Sequence, residues 1–310
     1  MIQKPIEDQR LVKHLGSLPP DGITIFLMDR GHFRAALVHG TRMVNRMRVN
    51  HDSGLLETLL LGHAYLAAVL LTMNAKGHDR IALDVSCTGP AGGLHVEATA
   101  LGNVRGYLSV SPIPLEQPPE SLDTAPLIGS GTLSVTKILE KAQRPFTGHI
   151  SLENGRIAGD LARYFTISEQ IPAAVNLSIQ FDPDGRAIGA AGLFVQAFPG
   201  ADATNADALN TTIQALPSLG RLVADGQTAE SLIDEQFSAF SPAVLETRPV
   251  GFRCDCTKDR FGRFLAALPV DEIQAIRDEL PTPVRTTCQN CNTTYEFTEP
   301  EIDEACLQAR

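Results

Sequence analysis

Four of the six cysteines in this chain have the spacing of metal ligands. Cys254 and Cys256 form a C-x-C pair, and Cys288 and Cys291 form a C-x-x-C pair after a gap of 31 residues. Thiolates are soft ligands, and four of them suit a tetrahedral zinc ion. All eight histidines lie in the first half of the chain, so they cannot complete a local site in the tail. The spacing therefore predicts one Zn²⁺ per chain, bound by these four cysteines in the reduced form.

The spacing leaves the role of this predicted site open. A static site would only stabilise the tail, whereas a redox switch would lose its metal once an oxidant converts the thiolates to disulfides. Iron–sulfur ligation and a redox pair without metal are two further interpretations. The remaining cysteines lie outside the pattern, and the sequence assigns them no role: we expect Cys87 to be a buried small side chain and Cys306 to be an exposed thiol.

The composition limits the partners of the chain. Its 310 residues carry 26 Lys+Arg against 36 Asp+Glu, a formal net charge of −10, which argues against nucleic acid or a membrane surface as a partner. The first ten residues, MIQKPIEDQR, mix charge with proline where a secretory signal would be apolar. The longest apolar run, residues 55–73, contains Glu57 and His63 and is interpreted as a buried helix. We expect a soluble cytoplasmic protein with reduced thiols.

The elements that must position the cysteines fall into three predicted segments. Residues 1–199 show clustered strand-like runs with helical candidates at 41–49, 53–73 and 157–170, so we expect an α+β core domain with a mixed β-sheet and packed helices. The turn sequence Asp-Pro-Asp-Gly predicts a hairpin between strands at 176–181 and 187–197. Residues 200–248 are predicted to be a helical linker, with amphipathic helices at 206–216 and 229–237.

The third segment, residues 249–310, is predicted to be a small zinc-binding domain. A chain of this length, roughly 60 residues, forms only a marginal hydrophobic core. A structural zinc site contributes about 10–16 kcal/mol at neutral pH, which is comparable with the whole stability of a small domain. We therefore expect the tail to be ordered only while the metal is bound.

The rest of the sequence contains no convincing catalytic motif. Residues 89–93 (GPAGG) lack the Gly-Lys-Ser/Thr ending of a phosphate-binding loop. Ser134 and Lys137 match an S-x-x-K pattern, but on a strand they point to opposite faces. We assign no catalytic residue and expect that the chain is not an enzyme.

With these motifs the sequence resembles the family of redox-regulated chaperones called heat-shock protein 33. The resemblance extends over nearly the full length and includes the gap between the two cysteine pairs. It is carried by five segments, which are residues 89–93 (GPAGG), 157–165 (IAGDLARYF), 168–172 (SEQIP), 252–256 (FRCDC) and 288–297 (CQNCNTTYEF).

The resemblance implies an ATP-independent holdase that is inactive while it is reduced and zinc-bound. In such proteins oxidation pairs the two cysteines of each motif, here Cys254 with Cys256 and Cys288 with Cys291. Zinc then leaves, the tail and linker unfold, and apolar surface becomes available to unfolding client proteins. The oxidised form is a homodimer, and clients later pass to an ATP-dependent foldase chaperone system. The client-binding residues are unknown from the sequence. The alternative is a constitutive zinc-stabilised protein-binding module without a redox switch.

Overall fold

The chain folds into two units in a computed structural model that describes residues 1–115, 117, 121–279 and 281–308. The large unit is Lys4–Phe252, and the small unit combines Met1–Gln3 with Arg253–Arg310. The division into three segments at 1–199, 200–248 and 249–310 stays a prediction. Residues 280, 309 and 310 of the third segment lie outside the described residues.

Two β-sheets and a set of helices form the large unit. Its described strands are β1 (Gly22–Met28), β2 (Phe33–His39), β3 (Arg80–Cys87), β4 (Gly93–Thr99), β5 (Asn103–Leu108), β6 (Gly131–Ile138), β7 (Phe146–Ser151), β8 (Ala173–Phe181), β9 (Ala187–Ala197), β10 (Ala243–Pro249) and β11 (Gly251–Phe252). Its described helices are α1 (Gln9–Ser17), α2 (Thr41–His51), α3 (Leu55–Leu71), α4 (Ala125–Ile128), α5 (Ile157–Tyr164), α6 (Ala203–Ala215), α7 (Leu219–Ala224) and α8 (Ala229–Phe237).

Each sheet combines strands that are distant in the sequence. The first sheet has the order β10-β1-β2-β9-β8, with antiparallel neighbours throughout. The second sheet has the order β11-β5-β4-β3-β6-β7, in which β11 is parallel to β5 and the other described pairs are antiparallel. The predicted hairpin is β8–β9, whose turn has the bond from the Gly185 N–H to the Asp182 carbonyl oxygen. Clustered antiparallel strands with packed helices confirm the α+β prediction.

Helix α3 is the main core helix of the large unit. It packs against strands of both sheets, and side chains on all its sides, such as Leu60, Ala64 and Leu70, are buried. Among the described helices, the one at Leu55–Asn74 is long and apolar enough to cross a bilayer, and 83% of its most apolar window is buried inside the protein. A helix that is apolar all round is typical of a protein core, so the interpretation of residues 55–73 as a buried helix is confirmed.

Helices α6, α7 and α8 cover one face of the first sheet. Alternate residues of β1, β2 and β9 point to this face and form one apolar cluster with the helices. Asp202 caps α6 and Thr228 caps α8 by accepting backbone N–H groups, so both helices begin where the sequence supplies an acceptor. The cluster consists of Phe26, Met28, Phe33, Ala35, Leu37, Ala191, Leu193 and Val195 from the strands, and Leu209, Ile213, Leu219, Val223, Leu232, Ile233 and Phe237 from the helices.

One predicted helix is shorter than its sequence pattern suggests. The pattern predicts a helix at 157–170, but α5 ends at Tyr164 and Phe165–Glu169 forms a π-helical turn. Pro172 disfavours helical backbone at the residue before it. The carboxylate of Glu169 accepts a hydrogen bond from the Tyr164 hydroxyl at 2.9 Å, and this contact holds the wider turn against the end of the helix.

The small unit has few apolar side chains of its own. It contains α9 (Lys258–Leu265), α10 (Val270–Glu279), an antiparallel hairpin of β12 (Val284–Thr287) and β13 (Thr294–Phe297), and α11 (Glu299–Gln308). Its described buried apolar residues, apart from the cysteines, are Ile273, Val284, Tyr295, Phe297, Ile302 and Ala305. So small a core provides little stability, and a group of four buried cysteines lies among these elements.

Candidate metal centre

The first cysteine pair lies in the irregular segment between β11 and α9. Thr257, directly after Cys256, has extended backbone angles and caps α9 by accepting the N–H of Arg260. In an extended chain, residues two apart point to the same side. The C-x-C spacing can therefore present the sulfurs of Cys254 and Cys256 together just before the helix begins.

The second pair lies in the loop that joins β12 to β13. The N–H of Cys288 donates to the carbonyl oxygen of Thr293 at 2.9 Å, and the N–H of Asn292 donates to the Cys288 carbonyl oxygen at 2.7 Å. Asn292 has φ +52°, a left-handed conformation that asparagine adopts more readily than most residues. This tight loop brings the sulfurs of Cys288 and Cys291 within 4.8 Å of each other.

The four sulfurs form one buried cluster. All of them lie within 4.8 Å of one another, and the four residues are 0–7% exposed. The sulfurs of Cys254 and Cys288 are 3.9 Å apart, and those of Cys256 and Cys291 are 3.3 Å apart. A tetrahedral zinc ion with Zn–S bonds of about 2.3 Å separates its sulfurs by about 3.8 Å. The cluster therefore has the size that such an ion requires, and these four residues could hold a metal ion.

The sulfurs are arranged as thiols and not as disulfides. All six cysteines are free of disulfide bonds, which need a sulfur–sulfur distance of about 2.05 Å. Cys87, at the end of β3, is partly buried, and this burial raises the pKa of its thiol, which keeps the side chain protonated. Cys306, in α11, is also partly buried rather than fully exposed. Neither belongs to the cluster.

Mutual hydrogen bonds separate the pKa values of the clustered thiols. Bonds with Cys288 and Cys291 lower the pKa of Cys254 far below its usual range. The bond with Cys254 raises the pKa of Cys288 to about 11, and it also raises the pKa of Cys291. A divalent cation would favour the loss of the remaining protons, and a set of four sulfurs fits a soft cation such as Zn²⁺.

Two hydroxyl groups that sequence reasoning missed lie beside the sulfurs. The Tyr295 hydroxyl donates to the Cys256 carbonyl oxygen at 2.9 Å and lies 3.3 Å from the Cys256 sulfur. Burial raises the pKa of Tyr295, so the hydroxyl keeps its proton. The Thr293 hydroxyl lies 3.3 Å from the sulfur of Cys291. The sequence carried a weak signal for them, since Thr293 lies two residues after Cys291 and directly before β13, and Tyr295 is in that strand.

The strongly shifted pKa values of the large unit belong to structural contacts. The buried carboxylate of Asp21 accepts the N–H groups of Arg42 and Met43 at the start of α2, and its burial raises its pKa to about 6. Burial lowers the pKa values of His39 and His63 to about 4, as expected for histidines inside a core. These groups serve a helix start and the core, and they do not line the described cavities of the large unit.

Comparisons with known proteins agree over most of the chain. The family model described as "Hsp33 protein" matches residues 21–298. A 33 kDa chaperonin of Desulforamulus reducens is 34% identical over 273 residues, which cover 88% of this chain and 92% of the relative. A 33 kDa chaperonin of Lactiplantibacillus plantarum is 35% identical over 282 residues, which cover 90% and 94%. The crystal structure of the 33 kDa chaperonin (heat shock protein 33 homolog) from Thermotoga maritima matches with a TM-score of 0.84 and 29% identity, and the match covers 93% of this chain and 98% of that chain.

Proposed function

This chain belongs to the Hsp33 family, and from that premise we propose that it is a redox-regulated, ATP-independent holdase chaperone of the cytoplasm. Hsp33 proteins are chaperones and not enzymes. The observation that carries the redox mechanism is the buried cluster of four thiols in a unit with few other apolar contacts. The reduced, inactive form holds one Zn²⁺ through Cys254, Cys256, Cys288 and Cys291.

Oxidation converts the proposed ligands to disulfides in two equivalent steps. In one step, the Cys288 and Cys291 sulfurs give two electrons to hydrogen peroxide, the S–S bond forms, and the O–O bond breaks. With two protons from the thiols or the solvent, the oxygens leave as two water molecules. Cys254 and Cys256 react in the same way with a second peroxide. Disulfide sulfurs are not thiolates and do not hold the cation, so the small unit loses the bond energy that orders it.

The proposed client surface is the face of the first sheet that lies under α6, α7 and α8. When these helices detach, the apolar cluster between them and the sheet becomes accessible, including the aromatic side chains of Phe26 and Phe33. Continuous apolar patches larger than a few hundred Å² bind other apolar surfaces. Unfolding proteins expose such surfaces, and they are the proposed clients. We further propose a homodimer in the oxidised state and release of clients to an ATP-dependent foldase system, without nucleic acid or membrane partners.

The test compares the reduced, zinc-loaded protein with the same protein after peroxide and mild heat. Zinc release is followed with a chromophoric chelator, and light scattering follows the aggregation of a heat-denatured test protein. We expect about one zinc per chain to be released, in parallel with the gain of aggregation suppression. The double variant Cys87→Ser/Cys306→Ser is the matched control, because it removes the two cysteines outside the cluster and should switch like the wild type.

Two outcomes would contradict the proposal. If zinc leaves but the oxidised protein does not suppress aggregation, the chain is not a holdase of this kind. If the reduced protein already suppresses aggregation and oxidation changes nothing, the constitutive zinc-stabilised binding module is the better description.

A further inference from the structure

The residues Met1 and Ile2 are part of the small unit and lie against both cysteine pairs. The backbone nitrogen of Met1 donates to the carbonyl oxygen of Cys256 at 2.7 Å. The N–H of Cys254 donates to the Met1 sulfur at 3.2 Å. Met1 and Cys256 are 255 residues apart in the sequence. The surroundings of the cluster are therefore built from three chain segments, of which the cysteine motifs supply only two.

The hydroxyl of Thr293 joins this third segment to the second cysteine pair. Its oxygen accepts the N–H of Ile2 at 3.2 Å and lies 3.2 Å from the Ile2 carbonyl oxygen. The same oxygen is 3.3 Å from the sulfur of Cys291. Thr293 is 4% exposed, so its hydroxyl is shielded from solvent, and a valine of the same shape would remove all three of these contacts.

The hydrogen-bond capacity of the Thr293 hydroxyl is enough for both of its neighbours. A hydroxyl has one proton to donate and two lone pairs to accept with. The Thr293 oxygen lies within 3.3 Å of the Ile2 N–H nitrogen, the Ile2 carbonyl oxygen and the Cys291 sulfur. One side chain therefore contacts the third segment and a cysteine of the second pair at the same time.

We propose that Thr293 is a positioning residue of the metal centre, and that it couples the Cys291 sulfur to residues 1 and 2, which leave the site when the centre is oxidised. The inference rests on the proposed function, because it takes the four-cysteine cluster to be the metal site. Hydrogen-bond partners of metal ligands orient those ligands and typically contribute about 10–100-fold to metal affinity. Oxidation of Cys291 removes the acceptor from one side of the Thr293 hydroxyl and opens the loop that carries it.

The first test measures metal affinity, which does not depend on chaperone activity. Zinc is titrated against a chelator of known affinity, and the absorption bands of bound cobalt(II) report the geometry of the sulfur ligands. We expect Thr293→Val to weaken zinc binding by about 10–100-fold and to change the cobalt spectrum, whereas Thr293→Ser, which keeps the hydroxyl, restores both. Thr287→Val is the matched control, because the Thr287 hydroxyl contacts Thr294 on the exposed side of the hairpin. Wild-type affinity in Thr293→Val would overturn the proposal.

The second test follows the first residues directly. In protein labelled at the methionine methyl groups, the Met1 signal is observed by NMR and is assigned by elimination, with single Met→Leu variants at Met28, Met43, Met47 and Met73. In the zinc-bound protein we expect the chemical shift of the Met1 methyl group to differ from its random-coil value, because the side chain is packed. After oxidation we expect a sharp signal at the random-coil chemical shift. Thr293→Val removes the oxygen that accepts the Ile2 N–H and leaves residues 1 and 2 unchanged, and it should release Met1 in the zinc-bound protein as well.

The results separate this inference from the proposed function. A Met1 signal that is identical in the zinc-bound and oxidised states contradicts the release of residues 1 and 2, even if Thr293→Val fails to fold. If the affinity and NMR results are as expected but the oxidised protein suppresses no aggregation, the role of Thr293 stands and the chaperone proposal fails.

Discussion

At the scale of single residues, the sulfurs of the two cysteine motifs are in contact with each other. Those of Cys254 and Cys288 are 3.9 Å apart, and those of Cys256 and Cys291 are 3.3 Å apart, whereas the proposed disulfides join the two cysteines of each motif. A disulfide needs a sulfur–sulfur distance of about 2.05 Å, so its formation draws sulfurs of one motif together and away from those of the other. This movement links the chemistry of the thiols to the conformation of the small unit.

The histidine His39 makes the stability of the large unit depend on pH. Its ring nitrogen lies 3.1 Å from the Thr41 hydroxyl. Burial, aided by the charge of Arg42, lowers its pKa to about 4. A lowered histidine pKa means that the unfolded chain binds the proton first. The contribution of His39 is therefore complete above about pH 6.5 and is lost as the pH falls towards 4, by about 2 kcal/mol at pH 5.

The measurement is urea unfolding of the wild type and His39→Gln at pH 7 and pH 5. We expect the wild type to lose about 2 kcal/mol more than the variant between these pH values. Asp21 contributes to the pH dependence with the opposite sign, because its raised pKa stabilises the folded state as the pH falls below about 6. This contribution is present in both proteins, so it cancels when the wild type is compared with His39→Gln. His78→Gln, at an exposed histidine, is the control and should follow the wild type. Equal pH dependence of His39→Gln and the wild type would contradict the prediction.

At the scale of secondary structure, the stability of α6, α7 and α8 comes from the sheet beneath them. Helices of 6 to 13 residues are marginal in isolation, so tertiary packing of their apolar faces must keep them folded. Phe237, at the end of α8, is 3% exposed, and its ring centroid lies 5.9 Å from that of Phe26 on β1. The cover of the proposed client surface thus depends on a small number of large side chains.

Truncation of Phe237 should loosen this cover. We expect Phe237→Ala to destabilise α8 by about 3–5 kcal/mol, the range for buried phenylalanines, and to speed amide hydrogen exchange over Ala229–Phe237. Under the proposed function, the variant also suppresses aggregation while it is still reduced. Phe198→Ala, at a phenylalanine that is 41% exposed, is the matched control and should do neither. Unchanged exchange rates in α8 would show that the helix does not depend on this contact.

At the scale of the whole molecule, the two units differ in what holds them together. The large unit has an extensive core on both faces of its first sheet, formed by α3 on one side and by α6, α7 and α8 on the other. The small unit combines a short hairpin and three helices around few apolar residues. Its stability should therefore depend on the metal, whereas that of the large unit should not.

Removal of the metal tests this difference. We expect a strong chelator to abolish protection against hydrogen exchange over residues 253–308, since the lost metal contributes about 10–16 kcal/mol. Protection within α3 and β9 should persist, and zinc added back should restore the small unit. Persistent protection of β12 and β13 in the metal-free protein would show that the small unit folds without a cation.

Many local features could be predicted from the sequence, because they depend on neighbouring residues. The predicted strand at 187–197 and the helix at 229–237 have the observed bounds, since an Asp-Pro-Asp-Gly turn precedes the first and Thr228 caps the second. The cysteine spacing indicated four residues that the structure brings into one cluster. Thiol ligands are few and chemically distinctive, so their spacing is informative without knowledge of the fold.

Features that depend on distant partners were decided only by the tertiary structure. β10 is a strand because it pairs with β1, where Pro249 lies opposite Gly22, and its own seven residues give little indication of this. The approach of residues 1 and 2 to the cysteines likewise has no local signal, because it depends on hydrogen bonds across more than 250 residues. A sequence pattern records the preferences of adjacent residues, whereas these contacts arise when folding brings remote backbone groups within hydrogen-bonding distance.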